Sequence, residues 1–433
     1  MARGSAQRHQ QTKLVQMRIL TVSNLYPPVV EGGYEARCAA TMGRLSEEHD
    51  VYVLTSTLRR DTCPPDPRVI RELPFLRQGK LSTLRAPRAA ARGMKVMRQT
   101  LDELKPDLIF VWNGVGIPHS ALRVAELSGI PIAYSVGEHW LGRMYRSDAY
   151  VRYLLPGERG VRAAWGYIAR ALNHLPQLQV DPFTIAPAAI CWNSQSTRRV
   201  SGVPATLIPT LESVIYPGIP EPERWSSLPR NPRFRPTIAF VGRVEWEKGP
   251  DVAYRALASL RSRHGIDAKL VLAGRCDPEM QAELDRLAAQ LGIADRVELL
   301  GAMDKDGVGR VLERSHVLLV PSTWEEPFGL VLLEAALARI PVVASRTGGM
   351  PEALEEGTQA LFFPNENADA CADALAQSLD HSSSLDATAA RVDAAFRRAE
   401  ELSFERYIGE MGQFVVDAHA AFRPETRPIG SPV

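Results

Sequence analysis

At 433 residues the chain is too long for one ordinary hydrophobic core, so two domains of roughly 150–200 residues each are expected. With 45% apolar residues, 23% charged residues and a net charge of +1, the composition excludes a disordered or collagen-like chain and gives no electrostatic case for nucleic-acid binding. No apolar run reaches the ~20 residues that span a bilayer, and five scattered cysteines without a Cys-x-x-Cys pair argue against a disulfide framework or a thiolate zinc site.

The charge is uneven along the chain. Residues 1–216 hold 27 Lys+Arg against 17 Asp+Glu, a net +10, whereas residues 217–433 hold 24 against 33, a net −9. A basic first half suits an anionic substrate or a membrane surface, and equally an Arg-rich solvated surface. Residues 1–16 are polar and basic without the apolar centre of a signal peptide, which reads as a disordered extension before a folded start at Met17.

The first half then follows a βα pattern. Apolar runs at 17–23, 50–55, 108–112, 131–136, 188–193 and 205–208 predict strands, with helices at 36–48 and near 120–127. The runs do not alternate with polar residues, as expected of parallel strands covered on both faces. The stretch 58–99 is rich in Arg and Pro and shows no clear period. A proline-rich segment, 216–236, reads as a linker. The pattern restarts after it, with strands at 237–241, 269–273, 297–300, 317–320 and 341–344 and helices at 250–264, 279–291 and around 334–338. The expected fold class is α/β, two doubly wound Rossmann-like βαβ domains in series, with a ligand site at the strand carboxyl ends between them.

The residues with chemistry cluster at strand ends in the second half. Gly242-Arg243 and Glu247-Lys248-Gly249 follow a strand directly, placing two cations around a glycine turn, as a loop that clamps a diphosphate without metal would do. Cations on a loop are also commonly just solvated. Glu326-Pro327-Phe328-Gly329-Leu330 leads into an apolar stretch that carries Glu334. Pro327 suits a first helical position, which would leave the amides of Phe328, Gly329 and Leu330 pointing outward as an anion site. On a helix that begins there, Glu326 and Glu334 would fall on about the same side. Carboxylates beside phosphates must bind hydroxyls, so the set describes two sugars flanking a diphosphate. Gly348-Gly349 with Pro351-Glu352, and Gly32-Gly33 in the first half, follow strands and are weaker signals.

Together these pieces resemble the retaining glycosyltransferases of family 4, the group 1 glycosyltransferases, which have the GT-B fold. The matching residues are Pro27-Pro28 with Gly32-Gly33, Gly242-Arg243 with Glu247-Lys248-Gly249, the Glu326 and Glu334 pair, and Gly348-Gly349 with Pro351-Glu352. The resemblance implies an N-terminal acceptor-binding domain at 17–216, a linker at 217–236 and a nucleotide-sugar-binding domain at 237–403. A cross-over helix at 404–423, returning to the first domain, and a flexible tail at 424–433 complete the expected layout. It implies a hexosyl- or glycosyltransferase that moves a sugar from a nucleotide sugar, most often a UDP-sugar, to a glycan, lipid-linked or small-molecule acceptor. No metal or other cofactor is expected. Arg243 and Lys248 would bind the diphosphate, Glu326 the transferred sugar and Glu334 the ribose. Gly32, Gly33, Gly242, Phe328, Gly329 and Leu330 would line the donor, with Met303 beside the base.

One departure stands out. Many members carry a His near the sugar after the second-last strand of the first domain, where this chain has Gly137-Glu138-His139. His139 is the candidate replacement, and Gly137 and Glu138 are candidate sugar contacts. A structural role for His139 is an equal alternative. His119 reads as a capping or surface residue. Asp304-Lys305-Asp306 spells a metal-binding Asp-x-Asp, but Asp306 is placed to cap a helix. The basic focus at 59–98, and the arginines interleaved with aromatics at 143–170, suit an anionic leaflet or a cleft for an anionic soluble acceptor. The expected setting is the cytoplasm, with peripheral contact at the inner face of the plasma membrane. A phosphorylase- or epimerase-like enzyme on the same fold, or a nucleotide-sugar-binding protein without catalysis, are the alternatives.

Overall fold

The structure, a computed structural model, describes residues 16–30, 32–76, 82–138, 140–141, 189–201, 209–230, 235–380 and 385–422, with the single positions 167, 171 and 174. The expected extension before residue 16, the expected tail, the strand expected at 205–208, most of 143–170 and His139 lie outside these residues.

Among the described residues the chain forms two all-parallel sheets. The first contains β1 (Arg18–Ser23), β2 (Asp50–Ser56), β3 (Val69–Leu73), β4 (Leu108–Asn113), β5 (Ile132–Val136), β6 (Ala189–Trp192) and β7 (Leu211–Val214), in the order β3-β2-β1-β4-β5-β6-β7. Its helices are α1 (Gly33–Leu45), α2 (Ser82–Leu104), α3 (His119–Leu127) and α4 (Gln195–Val200). A short helix, α5 (Glu223–Ser226), lies in the connection. The second sheet contains β8 (Thr237–Val241), β9 (Lys269–Ala273), β10 (Val297–Gly301), β11 (Val317–Val320), β12 (Val342–Ser345) and β13 (Leu361–Phe363), in the order β10-β9-β8-β11-β12-β13. Its helices are α6 (Pro250–His264), α7 (Pro278–Leu291), α8 (Lys305–Glu313), α9 (Leu330–Leu337), α10 (Met350–Ala353), α11 (Ala368–Leu379) and α12 (Leu385–Glu401). The chain's last described helix is α13 (Phe404–Ala421).

Both sheets are covered on both faces, which explains the unbroken apolar runs. In β1, Leu20 and Val22 join a core with α2 and α3, while Ile19 faces the opposite core with α1 and α13. The second sheet divides in the same way. Ala239 and Leu318 lie in one core with α9 and α12, and Ile238 and Phe240 in another with α6, α7 and α11. Helix boundaries follow local chemistry. Asp277 caps α7 by accepting the Met280 amide at 2.8 Å, Pro278 takes the first helical position, and Gly292 closes the helix in the left-handed region.

The strand order reverses between β1 and β4 in the first sheet and between β8 and β11 in the second. A crevice opens at such a switch point, so the loops after β1, β8 and β11 are the ones that can meet a ligand. The unreadable stretch 58–99 holds β3 and most of α2. β3 is half-buried at four of its five positions, which is why it lacks an apolar run. Helix α13 packs on the first domain. Phe404, Tyr407, Met411 and Phe414 enter the core with Ile19, Phe110 and Trp112, and Arg44 of α1 holds Glu405 with two bonds of 2.5 and 2.9 Å.

Candidate active site

The loops after β8 and β11 lie backbone against backbone. Residues 246–248 form a single tight turn closed by Gly249 at φ +68°. A Cβ on Gly249 would sit 2.0 Å from the Pro321 carbonyl oxygen, so only glycine fits. The Thr323 amide donates to the Glu247 carbonyl at 2.9 Å. This contact carries Lys248 to Glu326, with 2.7 Å between Nζ and Oε2. Ser322 Oγ and Trp324 Nε1 donate to the same oxygen at 3.1 and 3.0 Å, and the Lys248 ammonium lies 5.0 Å from the Trp324 ring centre. Both ion-pair side chains are under one-fifth exposed, at 18% and 16%. Oε1 of Glu326 accepts no hydrogen bond among the described residues.

Arg243 is held differently. Nη1 lies 2.6 Å from Glu245 Oε2 and Nη2 3.1 Å from Glu247 Oε1, and the side chain is 41% exposed. Its cation is more exposed than the partly buried Lys248 pair, and a diphosphate would compete with two carboxylates for it. Gly242 stands at φ +140°, and its carbonyl oxygen would meet a Cβ on Gly274 at 1.7 Å, so the ends of β8 and β9 are pressed together.

Gly348 and Gly349 prove to be the bed of the Glu326 loop. Gly348 is left-handed at φ +59°, with Glu326 O 2.0 Å and Glu326 N 2.4 Å from where its Cβ would be. The Gly349 amide donates to Glu326 O at 2.7 Å. The helix beyond begins later than the sequence suggests. Gly329, at φ +83°, is the N-cap and α9 starts at Leu330, so Pro327 is not the first helical residue. Phe328 is buried at 2% exposure under a stacked Tyr216 ring, and that anchoring sets the turn instead. The amides of Phe328, Gly329 and Leu330 have no hydrogen-bond partner among the described residues.

The late start also removes the helical-face argument for Glu334, which lies in the second turn of α9. Its carboxyl is half-buried in an apolar helix. Burial pushes it up to about 7, with the Lys305 charge opposing. Met303 is exposed after Gly301, which turns at φ +75°. Asp304, not Asp306, caps α8, accepting the Gly307 amide at 2.7 Å, because the helix begins at Lys305. Asp306 instead pairs with Arg224.

Across the cleft, Gly32 caps α1, and its amide donates to Glu35 Oε2 at 2.9 Å. The space above Gly33 is open to 4 Å. Gly137 follows β5, and a Cβ there would fall 2.3 Å from the Tyr34 ring and 2.7 Å from Arg37 Nη2. Tyr34 therefore fills the place of a side chain at 137, and its hydroxyl lies on the carbonyl oxygens of Trp112 and Ser135, the latter at 2.6 Å. Arg37 is 6% exposed, lies over the Tyr34 ring at 5.2 Å, and its Nε has no partner among the described residues. Glu138 is half-buried. Burial and the Glu35 charge raise its carboxyl, while the charges of Arg243, Arg37 and Lys248 oppose. His119 is buried at 2% exposure at the start of α3, not on the surface, because α3 packs its first turn inward. Sequence reasoning missed Tyr34, Arg37, Ser322 and Trp324. Tyr34 alone carried a signal, standing directly after Gly32-Gly33.

Residues 225–393 match the family model described as glycosyl transferases group 1. An uncharacterised glycosyltransferase of Methanocaldococcus jannaschii is 37% identical over 135 residues, 31% of this chain and 33% of that protein. The glycogen synthase of Mycobacterium tuberculosis is 29% identical over 363 residues, covering 79% of this chain and 81% of that one. The aligned stretch spans about a third of the length of several curated relatives, the Methanocaldococcus protein among them. The structure of HepE from Anabaena in complex with UDP and glucose superposes with a TM-score of 0.63 at 20% identity, covering 93% of this chain and all of that one. The chain has the GT-B fold, and its second domain is similar to the group 1 glycosyltransferases.

Proposed function

We propose that the chain is a retaining, metal-independent glycosyltransferase of family 4 that moves a sugar from a UDP-sugar to an acceptor held by the first domain. The observation that carries the reading is the Lys248–Glu326 pair at 2.7 Å, seated beside Arg243 and the open amides of Phe328, Gly329 and Leu330. Fixed cations and amides suit a leaving diphosphate, and they need no reorganisation as charge develops. Glu326 is locked through Oε2, which leaves Oε1 to accept a sugar hydroxyl. Glu334 accepts the ribose hydroxyls, Met303 lies beside the base, and Gly32 and Gly33 give the donor a side-chain-free wall.

In this reading the acceptor oxygen bonds to the anomeric carbon on the face that the diphosphate leaves. The carbon–oxygen bond to phosphate breaks with its electron pair, and the departing phosphate oxygen takes the acceptor proton. Lys248 and Arg243 offset that charge. The binding of UDP and glucose in the HepE structure supports the choice of donor. Exposed Arg85, Arg88, Arg92, Lys95 and Arg98 along α2 support a first domain resting on the inner, anionic face of the plasma membrane, where a lipid-linked glycan would be the acceptor.

The test is thermal unfolding with UDP, GDP, ADP, dTDP and their sugar conjugates in EDTA, beside the Lys248→Ala variant. A nucleotide at a hundred times its Kd adds about 2.7 kcal/mol. One nucleotide series should stabilise the wild type without metal and fail on the variant. A nucleotide that acts only with metal, or none that acts, overturns the reading.

A further inference from the structure

We infer that Glu352 is a positioning residue that latches the two domains together directly behind the transfer site; the inference rests on the function proposed above. Glu352 belongs to α10 of the second domain, yet its carboxylate is spent on the first. Oε2 accepts the Gln195 amide at 2.7 Å and Oε1 accepts the Ser196 amide at 2.7 Å. Ser194, the N-cap of α4, takes the Thr197 amide at 2.9 Å with its own hydroxyl. The first turn of α4 thus has three amides satisfied, two of them by a charged group from the other domain.

The same spot is tied to the catalytic loop. A Cβ on Gly349 would lie 2.3 Å from the Pro327 carbonyl oxygen and 3.0 Å from Ser194, so three segments meet at one glycine. Thr197 Oγ1 reaches Pro327 O at 3.3 Å. Burial and the nearby Glu352 charge raise the Tyr216 hydroxyl, and the Tyr216 ring stacks on Phe328 with 5.5 Å between centres. Glu352 therefore connects the first domain's α4 to the Pro327-Phe328 turn. It fixes how the first domain stands against the loop that carries Glu326 and Pro327. In the Gly348-Gly349 and Pro351-Glu352 motif, the glycines bed Glu326 and the glutamate grips the opposite domain.

The full-length protein tests this from both sides. Glu352→Gln keeps the shape but turns an NH2 toward one of the two amides. Gln195→Pro deletes the other partner. Gln195 is the first helical residue, where proline is tolerated, and Ser194 is already extended at φ −163°, ψ 160°, as a residue before proline must be. In Glu352→Gln the amides of Gln195 and Ser196 should exchange at least ~10-fold faster, because a local closure is lost. Both variants should scatter X-rays as a more open particle. Both should bind UDP within about twofold of wild type, since the residues proposed to hold the base, ribose and diphosphate (Met303, Glu334, Arg243 and Lys248) all lie in the second domain. Unchanged scattering in both variants overturns the latch, as does a UDP affinity in Glu352→Gln that falls along with its thermal stability. If the wild type binds no UDP, the proposed function fails, while exchange and scattering still judge the latch.

Discussion

The two edges of the cleft solve one problem in different ways. On the second-domain edge, four loops are stacked main chain on main chain, and Gly249, Gly274 and Gly348 leave 1.7–2.0 Å where a Cβ would go. On the first-domain edge the fit is made by side chains, with Tyr34 and Arg37 occupying the room beside Gly137. Main-chain stacking tolerates one residue type at each contact. Side-chain packing can be refilled by many combinations. Under the proposed function, the rigid edge would hold the diphosphate and the refillable edge the sugar and acceptor.

The sharpest challenge to this contrast is chemical. Lys248→Ala should lower turnover by ~10²–10³-fold, as loss of one preorganised charge-stabilising group does, with the fold kept by circular dichroism. A loss under about tenfold would move the diphosphate site away from the rigid edge. Next comes Gly348→Ala, which combines a left-handed backbone with a 2.0 Å approach to Glu326 O. It should cost ~3 kcal/mol or more in denaturant unfolding, and no neighbouring side chain should rescue it. By contrast, Gly137→Ala should cost about 1–3 kcal/mol, and most of that should vanish in a Tyr34→Leu background. Equal costs in both backgrounds would erase the distinction between the two edges.

The smallest effect is pH-dependent and concerns Glu334. Its folded value, about 7, lies above the ordinary 4.5, so ionising it opposes folding. The wild type should lose stability as pH rises from about 4.5 to 7, and Glu334→Gln should lose less over that window. If Glu334 binds the ribose as proposed, its ionised form accepts the hydroxyls more strongly than the neutral form. UDP-glucose, whose charges are constant between about pH 5.5 and 8, should therefore bind a few-fold better above pH 7, and this gain should be absent in Glu334→Gln.

The same contrast decides what the sequence could disclose. Buried parallel strands announce themselves as apolar runs, so β8, β9 and β11 have the bounds expected of them. Half-buried β3 and three-residue β13 carry too little apolar signal. In the candidate site, Gly242 and Gly249 were legible as turn positions, and both stand at positive φ, while the charges of Arg243, Lys248 and Glu326 stood out because they lie in the loops that follow apolar strand runs. The start of α9 was not legible, because Phe328 is anchored by Tyr216, more than a hundred residues away in the chain. Tyr34 against Gly137 was also hidden, since neither residue implies the other along the sequence.

The place of α13 has a consequence for how the molecule is made. The ribosome finishes all seven strands of the first sheet early, but one face of that sheet waits for Phe404, Tyr407, Met411 and Phe414. Through most of synthesis the nascent first domain displays Ile19, Phe110 and Trp112 without their final cover. A stop codon shortly before residue 404 would therefore injure the opposite end of the chain, leaving a sticky first domain beside an intact second one.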